Sequence, residues 1–405
     1  MLAVAPMQAA VRAGADSRQG LYDLQEILTP VWEGNTCYQE SVLPVAMAQG
    51  DVSVPLLYPI ENVLEIKNAE LTVTYQEGVD YSVANGELVI HGQGDIYIMP
   101  YMEFSPVWSD FKNVTDGGYL CFSEGSYFHK RQIVVTYTHK TKYSGYAPEN
   151  KGDLLPNLHQ NKLKSGENLD VFVLGDSISA GANSSGFSEI SVSPYMPIYP
   201  QLFADGLREQ YGLQQVNVYN HAVGGKNSAW GAAQIENALS QHKNVDLAVL
   251  AFGMNDGDLT PSAFNLNLLQ MIEAVQTKFP SAEILLVATM VPNPKSEYNQ
   301  NQAYFAELMQ TDLEREGVAV VNMTALHESL LLYKNYADMT GNNINHPNDY
   351  LARVYAQALL ATVQKKTDGQ PNENIGGCAN AIECAVGTPL VLALAFALKE
   401  RKACK

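Results

Sequence analysis

Four short motifs of reactive and small residues follow one another between residues 175 and 349. They are Gly-Asp-Ser at 175–177, Asn-His-Ala-Val-Gly-Gly at 220–225, Gly-Met-Asn-Asp at 253–256 and His-Pro-Asn-Asp at 346–349. Together they supply a hydroxyl nucleophile, hydrogen-bond donors and an imidazole base. Cleavage of an ester by a serine nucleophile requires these parts, whereas Gly-Asp-Ser alone would carry little information.

Ser177 is the candidate nucleophile. It follows the apolar run 169–174, so we expect it where a strand ends and a helix begins. Backbone N–H groups at such a turn would stabilise a developing oxyanion. Gly225 and Asn255 are candidates for further donors, since glycine allows close backbone approach and an amide is a neutral donor. The structural alternatives are a capped turn at Ser177, a plain loop at Gly225 and a helix cap at Asn255.

His346 is the candidate general base. Pro347 fixes the turn after it, and Asn348 or Asp349 is expected to cap the last helix. Asn220 and Asp256, in the middle motifs, are expected to brace the loops rather than react.

In this order, the four motifs resemble those of the SGNH, or GDSL-like, hydrolase family, and the resemblance covers residues 170–365. It implies that Ser177 is the nucleophile and His346 the general base. It also implies an oxyanion hole formed by the Ser177 amide, Gly225 and Asn255. No cofactor or metal is implied.

One position departs from the family pattern. The family usually places an aspartate three residues before the histidine, and Asn343 stands there. An amide brings no negative charge, and in a serine protease a comparable Asp-to-Asn change lowers turnover by about 10⁴. Three hypotheses remain: Asn343 or a backbone carbonyl orients His346 in a Ser-His dyad, Asp349 or Asp338 supplies the charge, or the site is impaired. We favour the dyad, which some carbohydrate esterases of this family use.

The elements that must position these residues alternate between strand and helix patterns after residue 168. This alternation predicts a three-layer α/β/α domain of flavodoxin-like type with a five-stranded parallel sheet and a ligand site at the carboxyl ends of its strands. The predicted strands are 169–174, 215–219, 246–252, 283–288 and 318–321. The predicted helices are 228–242, 262–278, 299–316 and 350–365.

The chain before residue 150 predicts an all-β sandwich. Alternating patterns at 71–75 and 132–137 are typical of strands, and Asn85-Gly86 predicts a hairpin turn between 79–84 and 87–90. The predicted organisation along the chain is a signal-peptide remnant (1–19), a β-sandwich accessory domain (20–150), a linker (151–168), an SGNH hydrolase catalytic domain (169–366) and a linker with a membrane or envelope anchor (367–405).

Composition limits the partners. With 405 residues, 46% hydrophobic and 17% charged, the chain is long and apolar enough to fold. Its net charge of -18 argues against nucleic acid and anionic membrane surfaces and favours a neutral substrate. No cysteine or histidine spacing resembles a zinc site. Cys37 and Cys121 could pair in an exported chain, with buried free thiols as the alternative.

Both ends of the chain suggest export. Residues 1–15 are small and apolar like the remnant of a signal peptide, and the apolar run 385–398 is followed by basic residues. A span of about 20 residues would include Glu383 and Pro389, so a docked helix is the alternative. The tail resembles the C-terminal tails of Gram-positive surface proteins, although it has no LPxTG motif. We therefore predict a secreted protein, held at the cell surface if the tail is an anchor.

The substrate prediction depends on residues 182–200, a polar and aromatic segment that suggests a shallow acyl site. With the β-sandwich, this resembles two-domain carbohydrate esterases that remove O-acetyl groups from polysaccharides. The alternatives are a lipase or thioesterase acting on longer chains, and an impaired surface protein that binds carbohydrate through aromatic residues such as Trp32 and Trp108.

Overall fold

The computed structural model describes residues 21–106 and 119–366. The strands in these ranges are β1 (Thr36–Val42), β2 (Val45–Ala46), β3 (Val52–Val54), β4 (Asn62–Asn68), β5 (Tyr81–Ala84), β6 (Glu87–Ile90), β7 (Met99–Pro100), β8 (Ile133–Thr138), β9 (Leu169–Gly175), β10 (Val216–Asn220), β11 (Leu247–Ala251), β12 (Glu283–Ala288) and β13 (Val318–Asn322). The helices are α1 (Leu24–Leu28), α2 (Tyr101–Phe104), α3 (Ser177–Ala180), α4 (Tyr199–Tyr211), α5 (Ser228–Ser240), α6 (Pro261–Lys278), α7 (Phe305–Leu308), α8 (Met323–Leu330) and α9 (Asp349–Val363).

The second half of the described chain is built on a parallel sheet with the order β10-β9-β11-β12-β13. Successive side chains of β9 enter different hydrophobic clusters. Val171 and Val173 pack with residues of α4 and α9, whereas Phe172 and Leu174 pack with residues of α5 and α6. Because both faces of the sheet are covered, its strands consist of nearly uninterrupted apolar residues. The predicted three-layer α/β/α architecture is confirmed.

The predicted strands of this sheet agree with the observed ones to within one residue at each end. Two helices were not predicted. Helix α4 begins beside Pro200, inside the segment interpreted as a loop, and α8 is a short helix capped by Asn322. The helix predicted over 299–316 is wrong in part, because that stretch holds a 3₁₀ turn, α7 and a π-helical turn. Local side-chain bonds compete with helix formation at its start, where the side chain of Gln302 accepts from the backbone of Gln300.

The N-terminal region contains antiparallel sheets with the orders β1-β8-β4 and β3-β6-β5. The predicted hairpin is confirmed, since β5 pairs with β6 across Asn85 (φ 55°) and Gly86 (φ 81°). The strand predicted at 71–75 is wrong. There the Asn68 side chain accepts from the backbone of Thr72 and Val73 and forms a turn, which leaves one isolated bridge from Thr74.

Buried polar bonds join the N-terminal region to the loops of the α/β region. Lys334 Nζ lies 2.6 Å from Glu40 Oε1, both side chains are fully buried, and Nζ also donates to the carbonyl of Ser41. Gln132 donates to the carbonyl oxygen of Thr340. The two regions also share one hydrophobic cluster. The predicted domain boundaries at residues 150 and 168 stay predictions.

Several predictions concern residues outside the described ranges, namely the signal-peptide remnant, the C-terminal anchor and Trp108. Within the described ranges, no helix has the length and apolar content needed to cross a bilayer. Cys37 and Cys121 are both free thiols here, and burial raises the pKa of each.

Candidate active site

Ser177 lies at the junction of β9 and α3. Asp176 caps α3, because its Oδ1 accepts the backbone N–H of Ile178 at 2.9 Å. A Cβ at Gly175 would lie 2.6 Å from the carbonyl oxygen of Ala251, so the last residue of β9 has no room for a side chain. Tight packing of this turn fixes the serine, which is 7% exposed, at the carboxyl end of the sheet.

His346 faces Ser177 across 169 residues of chain. Its Nε2 lies 2.9 Å from Ser177 Oγ, which is hydrogen-bond distance. The loop that carries the imidazole is shaped by Asn342, whose Oδ1 accepts the backbone N–H groups of Ile344, Asn345 and His346 at 3.0–3.1 Å. An asparagine side chain that satisfies three backbone donors rigidifies the loop and thereby the ring.

The opposite ring nitrogen faces Asn183, in the loop after α3. Asn183 Oδ1 lies 2.7 Å from His346 Nδ1. Its amide nitrogen donates to the carbonyl oxygens of Gly125 at 3.1 Å and Gly341 at 3.4 Å, which assigns the amide oxygen to the imidazole side. The Nδ1 atom therefore carries the proton, and the Nε2 lone pair points at Ser177, as a general base requires.

A carboxylate from the N-terminal region also reaches this nitrogen. Glu124 Oε2 lies 3.3 Å from His346 Nδ1, and Oε1 accepts from Asn342 Nδ2 at 3.1 Å. Asn342 Nδ2 is itself 3.0 Å from Nδ1, and its protons are accepted by Glu124 and Asn345. Partial burial raises the pKa of Glu124, but hydrogen bonds and the charge of the imidazole outweigh it and hold this pKa below its usual range.

Asn343, predicted to orient the histidine, points elsewhere. It is fully buried with φ 64°, its Nδ2 donates to the carbonyl of Cys121 at 3.1 Å, and Asn293 donates to its carbonyl. Among the described residues, the Asn343 side chain bonds to Cys121 and Asn293 and not to the imidazole. Asn342, one residue earlier, occupies the place beside Nδ1.

The two aspartates considered as charge donors also lie apart from the imidazole. Asp349 Oδ1 accepts the backbone N–H of Ser185 at 2.7 Å, and Asp338 accepts that of Leu43 at 2.8 Å. Asn348, one of the two residues predicted to cap the last helix, is the N-cap of α9. These bonds use both aspartates to hold loops together.

Neither Asn183 nor Glu124 was predicted as a site residue. Asn183 lies six residues after Ser177 in a polar segment. Its φ is 65°, and because asparagine is enriched at positive φ, the residue type is a weak sequence signal for a tight loop at this position. No sequence signal pairs Glu124 with His346. The two residues are 222 positions apart in the sequence, and only the packing of the N-terminal region against the α/β region brings them together.

The candidate oxyanion donors lie together. A Cβ at Gly224 would lie 3.8 Å from Ser177 Cβ, which brings this glycine loop beside Ser177. Gly225 has φ 71°, a conformation that suits glycine. Asn255 Nδ2 donates to the carbonyl of Lys226 at 3.0 Å, so its amide lies against the same loop with a second proton to donate.

The middle motifs brace their loops, as predicted. Asn220 Nδ2 donates to the carbonyl of Ser179, and its Oδ1 accepts the backbone N–H of Ala222. Asp256 accepts both the backbone N–H and the hydroxyl of Ser228 at 2.8 and 2.6 Å. Burial raises the pKa of Asp256, although these bonds oppose the rise.

Asp176 is a second carboxyl group close to Ser177 and His346. It is fully buried, and burial raises its pKa to about 7 despite the backbone bond from Ile178 and the nearby His346, both of which lower it. Among the described residues there is no group of three or more His, Cys, Asp or Glu side chains that could hold a metal ion.

Three comparisons with known proteins bear on this site. The model of the GDSL-like lipase/acylhydrolase family matches residues 173–354. A Mycoplasma pneumoniae protein described only as uncharacterized is 28% identical over 137 residues, which is 32% of this chain and 14% of that protein. The chain thus spans a small part of that relative.

Among solved structures, a two-domain esterase active on acetylated mannans is 20% identical with a TM-score of 0.44, and the match covers 56% of this chain and 58% of that one. Est24, a carbohydrate acetylesterase from Sinorhizobium meliloti, is 15% identical with a TM-score of 0.35, covering 48% and 96% of the two chains.

Proposed function

We propose that the protein is a carboxylic ester hydrolase with Ser177 as its nucleophile and His346 as its general base, and the match of residues 173–354 to the GDSL-like lipase/acylhydrolase family supports this. The observation that carries this proposal is the 2.9 Å contact between Ser177 Oγ and the unprotonated Nε2 of His346. An acceptor on Nδ1 and a nucleophile on Nε2 are the two contacts that such a base needs.

The reaction follows from this arrangement. Nε2 takes the hydroxyl proton while Ser177 Oγ bonds to the ester carbonyl carbon, whose oxygen becomes an oxyanion. The backbone N–H groups of Ser177 and Gly225 and the amide of Asn255 donate to that oxyanion. The carbon–oxygen ester bond then breaks, the alcohol leaves with the proton from Nε2, and water repeats the sequence on the acyl-serine.

We further propose short acyl groups, above all O-acetyl groups on a polysaccharide or oligosaccharide, as the substrate. The loop after α3 places the polar side chain of Asn183 against His346, and Ser184 and Ser185 follow it in the same loop. Glu124 and the glycine loop complete polar surroundings that suit an acetyl group better than a long alkyl chain. A net charge of -18 favours a neutral sugar over an anionic one.

The test compares hydrolysis of p-nitrophenyl acetate and p-nitrophenyl octanoate by the parent protein and by Ser177→Ala. We expect turnover of the acetate that disappears in the variant, followed by release of acetate from O-acetylated oligosaccharides, measured by NMR. A preference for octanoate would favour a lipase or thioesterase. Absence of turnover on both esters, with retention on immobilised glycan, would favour a binding protein instead.

We also propose a secreted protein held at the cell surface. The small, apolar residues 1–15 and the apolar run 385–398 with its basic end support this proposal. Cell fractionation with an antibody against the chain tests it, and recovery in the cytoplasm would overturn it.

A further inference from the structure

We propose that Glu124 is a positioning residue for His346, a carboxylate from the N-terminal region that orients the imidazole and stabilises its protonated form during ester cleavage. This inference rests on the proposed role of His346 as general base. It makes the active site composite, because Ser177 and His346 belong to the α/β region and the charge that supports them does not.

The segment that carries Glu124 is fastened to the active-site loops by three asparagines. Asn183 Nδ2 donates to the carbonyl of Gly125, Asn343 Nδ2 to the carbonyl of Cys121, and Asn342 Nδ2 to the carboxylate of Glu124, each at 3.1 Å. Bonds at residues 121, 124 and 125 hold both sides of the glutamate.

This arrangement explains the departure at Asn343. An aspartate there would lose the amide donor that holds Cys121 O and would place a buried charge beside that carbonyl. The asparagine instead holds the segment from which a different residue brings a carboxylate to Nδ1. The charge usually found three residues before the histidine has thus moved to another part of the chain.

Two carboxyl groups interact electrostatically with the imidazole, and only Glu124 is in contact with the ring. Asp176 lies on the nucleophile side, and burial raises its pKa to about 7, so it is partly protonated at neutral pH. The pKa of Glu124 lies below its usual range, so this carboxylate is ionised. The other groups in contact with the ring, Ser177, Asn183 and Asn342, are uncharged. Glu124 is therefore the ionised group in direct contact with an imidazolium formed during turnover.

The test is the pH dependence of kcat/KM for p-nitrophenyl acetate in the parent, Glu124→Gln and Glu124→Asp. We expect Glu124→Gln to lower kcat/KM about 10-fold. This loss is smaller than the loss of about 10⁴-fold expected for a buried triad acid, because the Glu124 side chain is half exposed. The acidic limb of the profile should move to lower pH by about half a unit, since the positive ring loses an anion. Glu124→Asp should restore part of both effects.

Glu77→Gln is the control, since it also removes an exposed carboxylate from the N-terminal region but lies outside the proposed site. It should leave the limb in place. A merely structural role for Glu124 would lower the rate without moving the limb, and that result, or a profile equal to that of the parent, would overturn the inference.

A second measurement does not depend on activity. In an NMR titration, the ring signals of His346, assigned with His346→Gln, should titrate at lower pH in Glu124→Gln than in the parent. If the parent hydrolyses no ester, the proposed function fails, and this titration still decides whether Glu124 acts on the ring. An unchanged midpoint would refute the inference even in an active enzyme.

Discussion

Asn183 Oδ1 accepts the Nδ1 proton of His346 at 2.7 Å, while the same amide donates to the carbonyl oxygens of Gly125 and Gly341. One neutral side chain therefore selects the tautomer of the proposed base and ties the loop after the nucleophile to the histidine loop and to the N-terminal region. Because the amide nitrogen is already committed, the oxygen cannot exchange places with it without losing both bonds.

We expect Asn183→Leu to lower kcat about 10- to 100-fold with little change in KM, because the ring loses its shortest bond but the oxyanion donors remain. Asn183→Asp should not restore the rate, because a carboxylate oxygen would face two carbonyl oxygens. Steady-state kinetics on p-nitrophenyl acetate measure both. Asn217→Leu, at the amino-terminal end of β10, is the control and should keep the parent kcat. A rise in KM alone for Asn183→Leu would show that this residue binds substrate instead.

Asp176 should make the stability of the protein depend on pH. Its folded-state pKa is raised from 3.8 to about 7, so the folded state binds a proton more readily than the unfolded state. The resulting stabilisation is full below about pH 3.8 and is lost as the pH rises through about 7. Asp176→Asn keeps an oxygen to cap α3 and removes this titration.

Urea denaturation of the parent and Asp176→Asn at pH 5, 6.5 and 8 measures the effect. The variant should gain stability relative to the parent as the pH rises. Asp338, whose pKa burial raises to about 6, titrates in both proteins and cancels in the difference. A difference in unfolding free energy that stays constant over this range would contradict the prediction.

The buried ion pair between Glu40 and Lys334 should show strong coupling. Lys334→Met leaves a buried carboxylate without its cation and should lower the unfolding free energy by about 3–5 kcal/mol. Adding Glu40→Gln removes that charge and keeps an oxygen for the backbone N–H of Leu57. The double variant should therefore be more stable than Lys334→Met alone.

Chemical denaturation of both single variants and the double variant gives the coupling free energy directly. The control pair is Glu61 and Lys140, whose lysine side chain is 81% exposed, and breaking it should cost less than about 1 kcal/mol. Additive effects at Glu40 and Lys334 would mean that the pair does not join the two regions energetically.

Much of the α/β region could be predicted because its signals are local. Strands such as β12, buried along its whole length, appear as apolar runs bounded by turns, and each reactive motif follows such a run or precedes a capped helix. The hairpin at Asn85 and Gly86 was predictable for the same reason. Helix α4 was missed because Pro200 lies in its first turn, where proline is tolerated, and not at a break.

The acceptors on Nδ1 could not be predicted because they depend on tertiary packing. Glu124 is 222 residues from His346, and its place is set by bonds from Asn342 to its carboxylate and from Asn183 and Asn343 to the carbonyls of Gly125 and Cys121. The family pattern directed attention to Asn343, one residue away from the asparagine that lies beside the ring. Spacing along the chain locates a catalytic loop, but which side chain of that loop faces inward depends on local turns.

Asn255 is the proposed oxyanion donor whose role is easiest to isolate. Asn255→Ala should lower kcat for p-nitrophenyl acetate by about 10²- to 10³-fold with KM nearly constant, because a preorganised donor acts mainly in the transition state. Asn301→Ala is a matched control, since its amide also donates to one loop carbonyl, that of Leu259, at 2.9 Å. Each variant loses one hydrogen bond from a side-chain amide to a loop carbonyl. Equal losses of kcat would assign Asn255 a structural role. A loss confined to Asn255→Ala would leave donation to the transition state as the explanation.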